Sequence, residues 1–272
     1  MHTAASTGVL LAHHKAAASM WDLGGKAYDE VSFGLSDALA HAAQRLNARA
    51  NEHVLDVATG TGWSARNAAR SGARVSAVDI SSELLRAAKE LSAHVCPVID
   101  FQLGDAERLP FPDASFEGVI STFGVIFAQD QKQAARELGR VVRTGGRLTL
   151  ATWQPDGAVA KFLGVIARHS GAPPPPVSPL AWGDPHHVEE LLGRDFALTF
   201  ESGVNNAYHP HTQHIWDKYA EGFGPMRQLI ADLQPERQAA LRSDVDAYHR
   251  QYETEAGLHV RREYVIIVGK RR

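Results

Sequence analysis

Short apolar segments rich in β-branched residues alternate with segments of helical periodicity through the middle of the chain. The apolar segments predict five strands, and the amphipathic segments between them predict three helices. Strands that alternate with helices in this way form a parallel sheet with helices on both faces. The predicted strands lie near residues 53–58, 74–79, 97–102, 116–122 and 146–152, and the predicted helices near residues 62–71, 82–93 and 130–142.

The flanking segments extend this core. Residues 15–46 predict two helical pieces, whereas residues 196–204 and 264–269 predict two more strands. About 50 residues separate these last two strands, which is long for a bare connection and predicts an inserted helical cap near residues 205–255. We therefore expect one compact Rossmann-like, doubly wound α/β domain with a mostly parallel seven-stranded sheet. Its parts are an N-terminal helical lid (1–50), a core (51–155) and the remaining strands with the cap (156–272).

Net charge, apolar run length and cysteine count indicate which kinds of partner and compartment to expect. The formal net charge is −3, so the chain lacks the basic footprint of a nucleic-acid-binding protein. No apolar run is long enough to span a membrane, and residues 7–12 are too short and lack the basic start of a signal peptide. A single cysteine cannot form an internal disulfide and fits a reducing cytoplasm. We expect a cytoplasmic monomer or homodimer that acts on a small molecule.

A glycine-rich turn follows the first predicted strand, in the sequence DVATGTG at residues 56–62. Gly60 and Gly62 lack a Cβ and allow a ligand to approach the backbone. Asp79 ends the next predicted strand, where a carboxylate can accept hydrogen bonds from both hydroxyls of a ribose. Nicotinamide enzymes and S-adenosylmethionine (SAM) enzymes share that acid. Asp56 favours SAM, because an acid at this position can meet an ammonium group.

Five motifs in this order resemble the class I SAM-dependent methyltransferases, in particular the small-molecule branch similar to the ubiquinone and menaquinone biosynthesis enzymes. They lie at residues 56–62, 78–81, 104–107, 109–116 and 137–146, with Ala58 in place of the usual first glycine. The resemblance implies that the turn lies beside the methionine part of SAM and that Asp79 holds the ribose. The other cofactor contacts that it implies are Tyr28 from the lid, Ile80, Asp105 and Ala106 at the adenine, and Ser121 and Phe123 near the sulfonium.

The acceptor site is predicted from aromatic residues and histidines. Candidate lining residues are Phe127, Trp153, Trp182, His209 and Trp216, and His209 is the candidate general base if the acceptor must lose a proton. His209, His211 and His214 have a spacing that suggests a metal, but no Cys or carboxylate completes the set, so we expect no metal. Two alternatives stay open: a nicotinamide-dependent oxidoreductase and a SAM-binding protein without catalysis.

Overall fold

A computed structural model describes residues 10–272 as one sheet flanked by helices. The strand order is β3-β2-β1-β4-β5-β8-β6, and a short strand β7 pairs with β8. Strands β1 to β5 pair in parallel, whereas β8 pairs antiparallel with β5 and β6. Residues 1–9, which include the start of the predicted lid and part of the 7–12 segment, lie outside the described residues.

The elements are bounded as follows. The strands are β1 His53–Val57, β2 Arg74–Asp79, β3 Asp100–Leu103, β4 Phe116–Thr122, β5 Val142–Trp153, β6 Phe196–His209, β7 Glu253–Thr254 and β8 Gly257–Arg271. The helices are α1 Lys15–Asp22, α2 Tyr28–Phe33, α3 Ser36–Leu46, α4 Trp63–Ala69, α5 Ser82–Leu91, α6 Gln131–Val141, α7 Ala158–Ser170, α8 Pro185–Leu192, α9 Thr212–Gly222, α10 Gly224–Asp232 and α11 Pro235–Arg250. Among these helices, none has the length and apolarity that crossing a bilayer requires.

The predicted α/β architecture is confirmed, with two differences in the last third of the chain. The sheet has eight strands and not seven, because the chain before β8 folds back as the two-residue strand β7. Strand β6 continues to His209 because it pairs with β8 over its whole length, from Phe196 opposite Arg271 to His209 opposite Leu258. The cap helices therefore begin at Thr212, seven residues later than the predicted start near residue 205.

Residues 10–272 contain three apolar clusters, of which the smallest is formed by Ala158, Ala207 and Val260. The largest one lies on both faces of the sheet, where Leu55, Val119 and Leu150 are fully buried between helices. The second one joins α7 to the cap helices, with Phe162, Met226 and Leu241 at its centre. The cap thus has its own core, and it contacts the carboxyl-terminal edge of the sheet through α7 and β8.

The N-terminal helices are tied to the core by two aspartates. Asp22, at the end of α1, accepts hydrogen bonds from the Ser81 hydroxyl (2.6 Å) and the Glu83 amide (3.0 Å) at the start of α5. Asp29 in α2 accepts the indole N–H of Trp63 in α4 (2.8 Å). Acceptors at helix N-termini satisfy backbone donors that the helix leaves free. These bonds hold the N-terminal segment across the ends of β1 and β2.

Three glycines bring this segment into backbone contact with the cap. A Cβ built on Gly24 would lie 2.6 Å from the Gly222 carbonyl oxygen, and one on Gly222 would lie 2.6 Å from the Ala27 carbonyl oxygen. A Cβ on Gly224 would lie 2.3 Å from the Met20 carbonyl oxygen. Because a side chain at any of these positions would separate the two segments, the glycines allow the lid and the cap to pack directly against each other.

Adding one methyl group at Gly183 or at Gly164 should have opposite effects on stability. A Cβ at Gly183 would lie 2.1 Å from the Trp153 carbonyl oxygen, whereas exposed Gly164 in α7 has open space around it. We expect Gly183→Ala to lower the free energy of unfolding by about 2 kcal/mol or more through overpacking. Gly164→Ala should raise it by up to about 1 kcal/mol through helix propensity. Urea unfolding midpoints measure both, and a Gly183→Ala protein as stable as the wild type would contradict this packing.

Candidate functional site

The turn after β1 adopts the left-handed conformation that its glycines favour. Gly60 and Gly62 have φ angles of 55° and 87°, and Ala58 also has a positive φ, 56°. An L-residue in this region carries strain of about 1–2 kcal/mol, so Ala58 occupies a position that glycine would adopt without this strain. A Cβ on Gly60 would lie 3.2 Å from Cε1 of Tyr28, which places the Tyr28 ring over the turn.

Asp79 joins this turn to the end of β2. Its Oδ2 accepts the Gly60 amide N–H (2.8 Å), and its Oδ1 accepts the Ser81 amide N–H (2.9 Å). Burial raises the pKa of Asp79 to about 6, although both backbone N–H groups oppose this shift. An ionised carboxylate offers about four acceptor positions, so acceptor capacity is left for two hydroxyls of a ligand.

Asp56 lies behind the turn and does not line the cavity beside it. The side chain is fully buried, and Oδ2 accepts the Thr59 hydroxyl (2.6 Å). Burial raises the pKa of Asp56 to about 7. Because its carboxylate faces the turn and not the open space, the structure gives Asp56 the role of shaping the turn, and direct contact with an ammonium group is not supported.

Two other predicted cofactor contacts also lie outside the cavity. A Cβ at Gly62 would meet the Phe101 ring at 3.1 Å and the Ala88 Cβ at 3.3 Å, so this glycine faces β3 and α5. Ser121 is fully buried and donates its hydroxyl to the Val57 carbonyl oxygen (2.7 Å). Both residues position the strand ends, and sequence spacing could not distinguish that from ligand contact.

The remaining predicted cofactor residues converge on one cavity of about 970 Å³ at the carboxyl ends of the strands. This space, part of which is open to solvent, is called the cofactor cavity below. It lies at the point where the strand order reverses between β1 and β4, which is where open α/β sheets bind ligands. The predicted residues that line it are Tyr28, Ala58, Gly60, Asp79, Ile80, Asp105, Ala106 and Phe123.

The N-terminal segment reaches the acid predicted to meet adenine. Asp105 Oδ2 contacts Nδ1 of His14 (2.7 Å) and accepts the Leu11 amide N–H (3.1 Å). The neighbouring Glu107 lies 2.9 Å from the His13 ring and 3.1 Å from the His14 ring. A ligand amino group would therefore compete with His14 for Asp105. No local pattern in the sequence indicates this contact, because the partners are more than 90 residues apart.

His209, His211 and His214 are not arranged as the three ligands of one metal ion. His209 and His214 approach each other with their Nδ1 atoms 3.1 Å apart, whereas His211 accepts the His214 amide N–H. Within residues 10–272, the group with metal-ligand geometry is instead His13, His14 and Glu107. Imidazole–carboxylate contacts account for its short distances, so this geometry does not require an ion.

A second cavity, of about 820 Å³, lies between the sheet edge and the cap and is called the acceptor cavity below. The predicted residues Phe127, Trp153 and His209 line it. The two cavities lie side by side, because five residues line both of them: Trp21, Tyr28, Leu35, Phe123 and Phe127. At this junction Phe123, which has a positive φ of 56°, stacks on Trp153 with ring centroids 4.0 Å apart.

Two predicted acceptor residues are placed elsewhere. Trp182 is fully buried in the main core, where its carbonyl oxygen accepts the Thr152 hydroxyl (3.2 Å). Trp216 packs in the cap with the Arg242 guanidinium 4.9 Å from its ring centroid. Aromatic residues pack in apolar cores and also line cavities. Residue type alone could therefore not show that Trp182 and Trp216 lie in cores.

His209 faces the acceptor cavity in an environment that disfavours its charged form. Burial, together with the smaller effect of the cationic neighbours Lys218 and Arg262, lowers the pKa of His209 to about 3. The ring is therefore neutral near pH 7, and its second nitrogen can form one hydrogen bond with a ligand. It holds an extra proton poorly unless a negative charge enters the cavity.

Sequence reasoning missed the part of the acceptor cavity that comes from the end of the chain. Arg262 lies in β8 between the charged residues Arg261 and Glu263, and strand alternation places it on the same buried face as Val260 and Tyr264. A charge at a position that alternates with buried residues is the signal that could have identified it. The other missed residues were hidden by helical periodicity, which does not show which ring faces a cavity. They include Phe162, Tyr219, Phe223, Tyr248 and His249.

The fold defines a class of protein, an α/β protein with one cavity at the carboxyl ends of its parallel strands and a second, aromatic cavity beside it. Residues 55–150 match the family described as a methyltransferase domain. Together with the relatives described next, this match shows that the chain belongs to the class I SAM-dependent methyltransferases.

An uncharacterized protein of Mycobacterium tuberculosis H37Rv is 33% identical over 229 residues, which cover 82% of this chain and 81% of the relative. The demethylmenaquinone methyltransferase of Corynebacterium glutamicum strain R is 37% identical over 139 residues, or 49% of this chain and 58% of the relative. The solved YcgJ protein of Bacillus subtilis has the same fold, with a TM-score of 0.59 and 20% identity over 87% of this chain and 98% of the other.

Gly60→Ala and Gly145→Ala should separate ligand binding from backbone strain. Both glycines have positive φ, so each substitution should cost roughly 1–2 kcal/mol of stability. The new methyl group meets Tyr28 at Gly60, on the cofactor cavity wall, but has open space at Gly145. We expect only Gly60→Ala to weaken S-adenosylhomocysteine binding, by at least tenfold in calorimetry. Equal affinities of the two variants for S-adenosylhomocysteine would show that the turn is not part of the ligand site.

Proposed function

We propose that the protein transfers the methyl group of SAM to a small organic acceptor held in the acceptor cavity. The observation that carries this proposal is the junction of the two cavities. The buried carboxylate of Asp79 lies on one side of the shared wall, and an aromatic cavity closed by the cap lies on the other. A methyl donor and an acceptor bound in these spaces would meet at Phe123.

The residues of the cofactor cavity fit SAM in charge and in shape. SAM is cationic at its sulfonium, and the acids Asp79 and Asp105 line the cavity. Gly60 leaves the space that a Cβ would fill beside Tyr28, which permits close approach of a ligand to the turn. Asp79 would accept the ribose hydroxyls, and Ile80 would pack on the adenine. The adenine amino group would share Asp105 with His14 or displace it.

When bound, SAM supplies an activated methyl group on a good leaving group. The chain's own residues then need to align the acceptor and exclude water. Trp21 contributes to both tasks, because its ring contacts Phe127 (5.2 Å between centroids) and Phe223 (5.7 Å) and closes the junction on the lid side. Phe123 and Trp153 form a flat stacked wall on the sheet side.

His209 is the candidate to receive a proton from a hydroxyl acceptor. As a neutral ring that lines the acceptor cavity, it can accept a hydrogen bond from the acceptor. Its low pKa makes it a weak base in the protein as described, since a base works best with a pKa near the working pH. We therefore assign His209 to orientation of the acceptor, and proton transfer to it requires an accompanying negative charge.

The two alternatives are disfavoured to different degrees. The nicotinamide reading conflicts with the methyltransferase family match and finds no support in the acidic cofactor cavity, because a dinucleotide pyrophosphate is anionic. A non-catalytic SAM-binding protein would not need a second, aromatic cavity beside the first one. Turnover is the measurement that separates catalysis from binding alone.

Cofactor choice is tested by thermal unfolding with SAM, S-adenosylhomocysteine, NAD and NADH. A ligand that binds only the native state stabilises it by mass action, by about 2.7 kcal/mol at one hundred times its Kd. We expect SAM and S-adenosylhomocysteine to raise the melting temperature and the nicotinamides to leave it unchanged. A shift with NADH alone would overturn the proposal, and S-adenosylhomocysteine formation with an added acceptor would establish transfer.

S-adenosylhomocysteine affinity should depend on the ionisation of Asp79. With a pKa of about 6, its carboxylate is ionised near pH 7 and becomes protonated as the pH falls below 6. Protonation converts an acceptor into a donor, so the Kd should rise at acidic pH. In Asp79→Asn, affinity near pH 7 should fall at least tenfold and this part of the pH dependence should disappear. An unchanged pH profile in the variant would show that other groups are responsible.

A further inference from the structure

Arg262 places a buried positive charge in the wall of the acceptor cavity. Its side chain is 6% exposed, and one terminal nitrogen donates a hydrogen bond to the Gly34 carbonyl oxygen. Its Nε has no hydrogen-bond partner within residues 10–272, and no carboxylate of this part of the chain forms an ion pair with it. A buried positive charge without an anionic ion-pair partner is costly. The position of Arg262 in this wall therefore points to an anion supplied from outside the chain.

The neighbouring groups increase the positive potential. Burial and, after it, the charge of Arg262 lower the pKa of Lys218 to about 8, whereas Glu30 opposes the shift. His209 and His249 face the same cavity from β6 and α11. Asp37 is hydrogen-bonded to Asn205, which lies opposite Arg262 in the sheet, and it forms no ion pair with the guanidinium. The field at this end of the cavity therefore favours an anion.

The rest of the cavity is apolar and aromatic. Phe162 stacks on Tyr248 (5.8 Å between centroids) and contacts Tyr219 (5.3 Å), and the Phe123–Trp153 stack forms the opposite wall. Walls of stacked rings accommodate flat apolar molecules. A ligand that satisfies both parts of the cavity is flat and aromatic and carries one negative group.

We propose that the methyl acceptor is an aromatic carboxylate whose anionic group binds Arg262 while its ring lies between the aromatic walls. The inference rests on the proposed function, because it names the acceptor class for the same site. A carboxylate is ionised near pH 7 and matches the planar donors of a guanidinium. A bound carboxylate would also offset the cationic neighbours of His209, which favours proton transfer to that ring during methylation of an acceptor hydroxyl.

The test compares 2-naphthoate with neutral 2-naphthamide, by calorimetry on the protein saturated with S-adenosylhomocysteine. We expect the wild type to bind naphthoate at least tenfold more tightly than naphthamide. Arg262→Met should abolish this preference, and Arg262→Lys should retain part of it. Arg261→Met is the matched control, because Arg261 is the exposed neighbour on the same strand and should keep the full preference.

The outcomes are separable from those of the proposed function. Failure of S-adenosylhomocysteine to bind would contradict the methyltransferase reading, and it is measured before the naphthyl compounds are added. No naphthoate binding, equal affinity for the acid and the amide in the wild type, or an unchanged preference in Arg262→Met would overturn the aromatic carboxylate. Far-UV circular dichroism would show whether Arg262→Met folds. If it does not, the comparison of naphthoate with naphthamide in the wild type still tests the proposal.

Discussion

The contact on which the site depends is the pair of backbone hydrogen bonds to Asp79. One carboxylate receives the Gly60 N–H from the β1 turn and the Ser81 N–H from the start of α5. It thereby fixes two strand ends and two helix starts relative to each other. Because the carboxylate is buried, these bonds form in a low dielectric environment, where a lost partner is expensive. The cofactor cavity keeps its shape because this carboxylate keeps its two partners.

Charge is divided between the two cavities. The cofactor cavity is lined by acids, of which Asp79 has a raised pKa because it is buried. The acceptor cavity has Arg262 in its wall and Lys218 close to it, and these cations depress the pKa of His209. Such a division suits a cationic donor on one side and an anionic acceptor on the other, with their attraction directed across the junction at Phe123.

The sequence predicted the sheet and much of the cofactor cavity because both depend on local patterns. The β-branched runs and the acids at strand ends lie close together along the chain, so their spacing carries the geometry. Gly62 and Asp56 have that spacing too, but one faces Phe101 and the other faces Thr59. Spacing identifies the strand end at which a residue lies, and only packing decides the direction in which its side chain points.

The acceptor cavity was less predictable because its walls come from distant segments. Trp21, Trp153 and Arg262 meet only after the sheet and cap have assembled. The aromatic residues chosen from composition included Trp182, which fills the core because its 3-10 turn packs under β5. The signal for Arg262 was weak, because it stands between Arg261 and Glu263, and only its alternation with Val260 and Tyr264 places it on the buried face of β8.

The glycine contacts between the N-terminal segment and the cap have a consequence for the order of events in a catalytic cycle. Gly24, Gly222 and Gly224 bring the roofs of both cavities into backbone contact. With backbone atoms this close, displacement of one roof would shift the other, so the two cavities would open together. Entry of the donor, entry of the acceptor and exit of both products would then share one opening motion, whose rate would set a common upper limit on turnover.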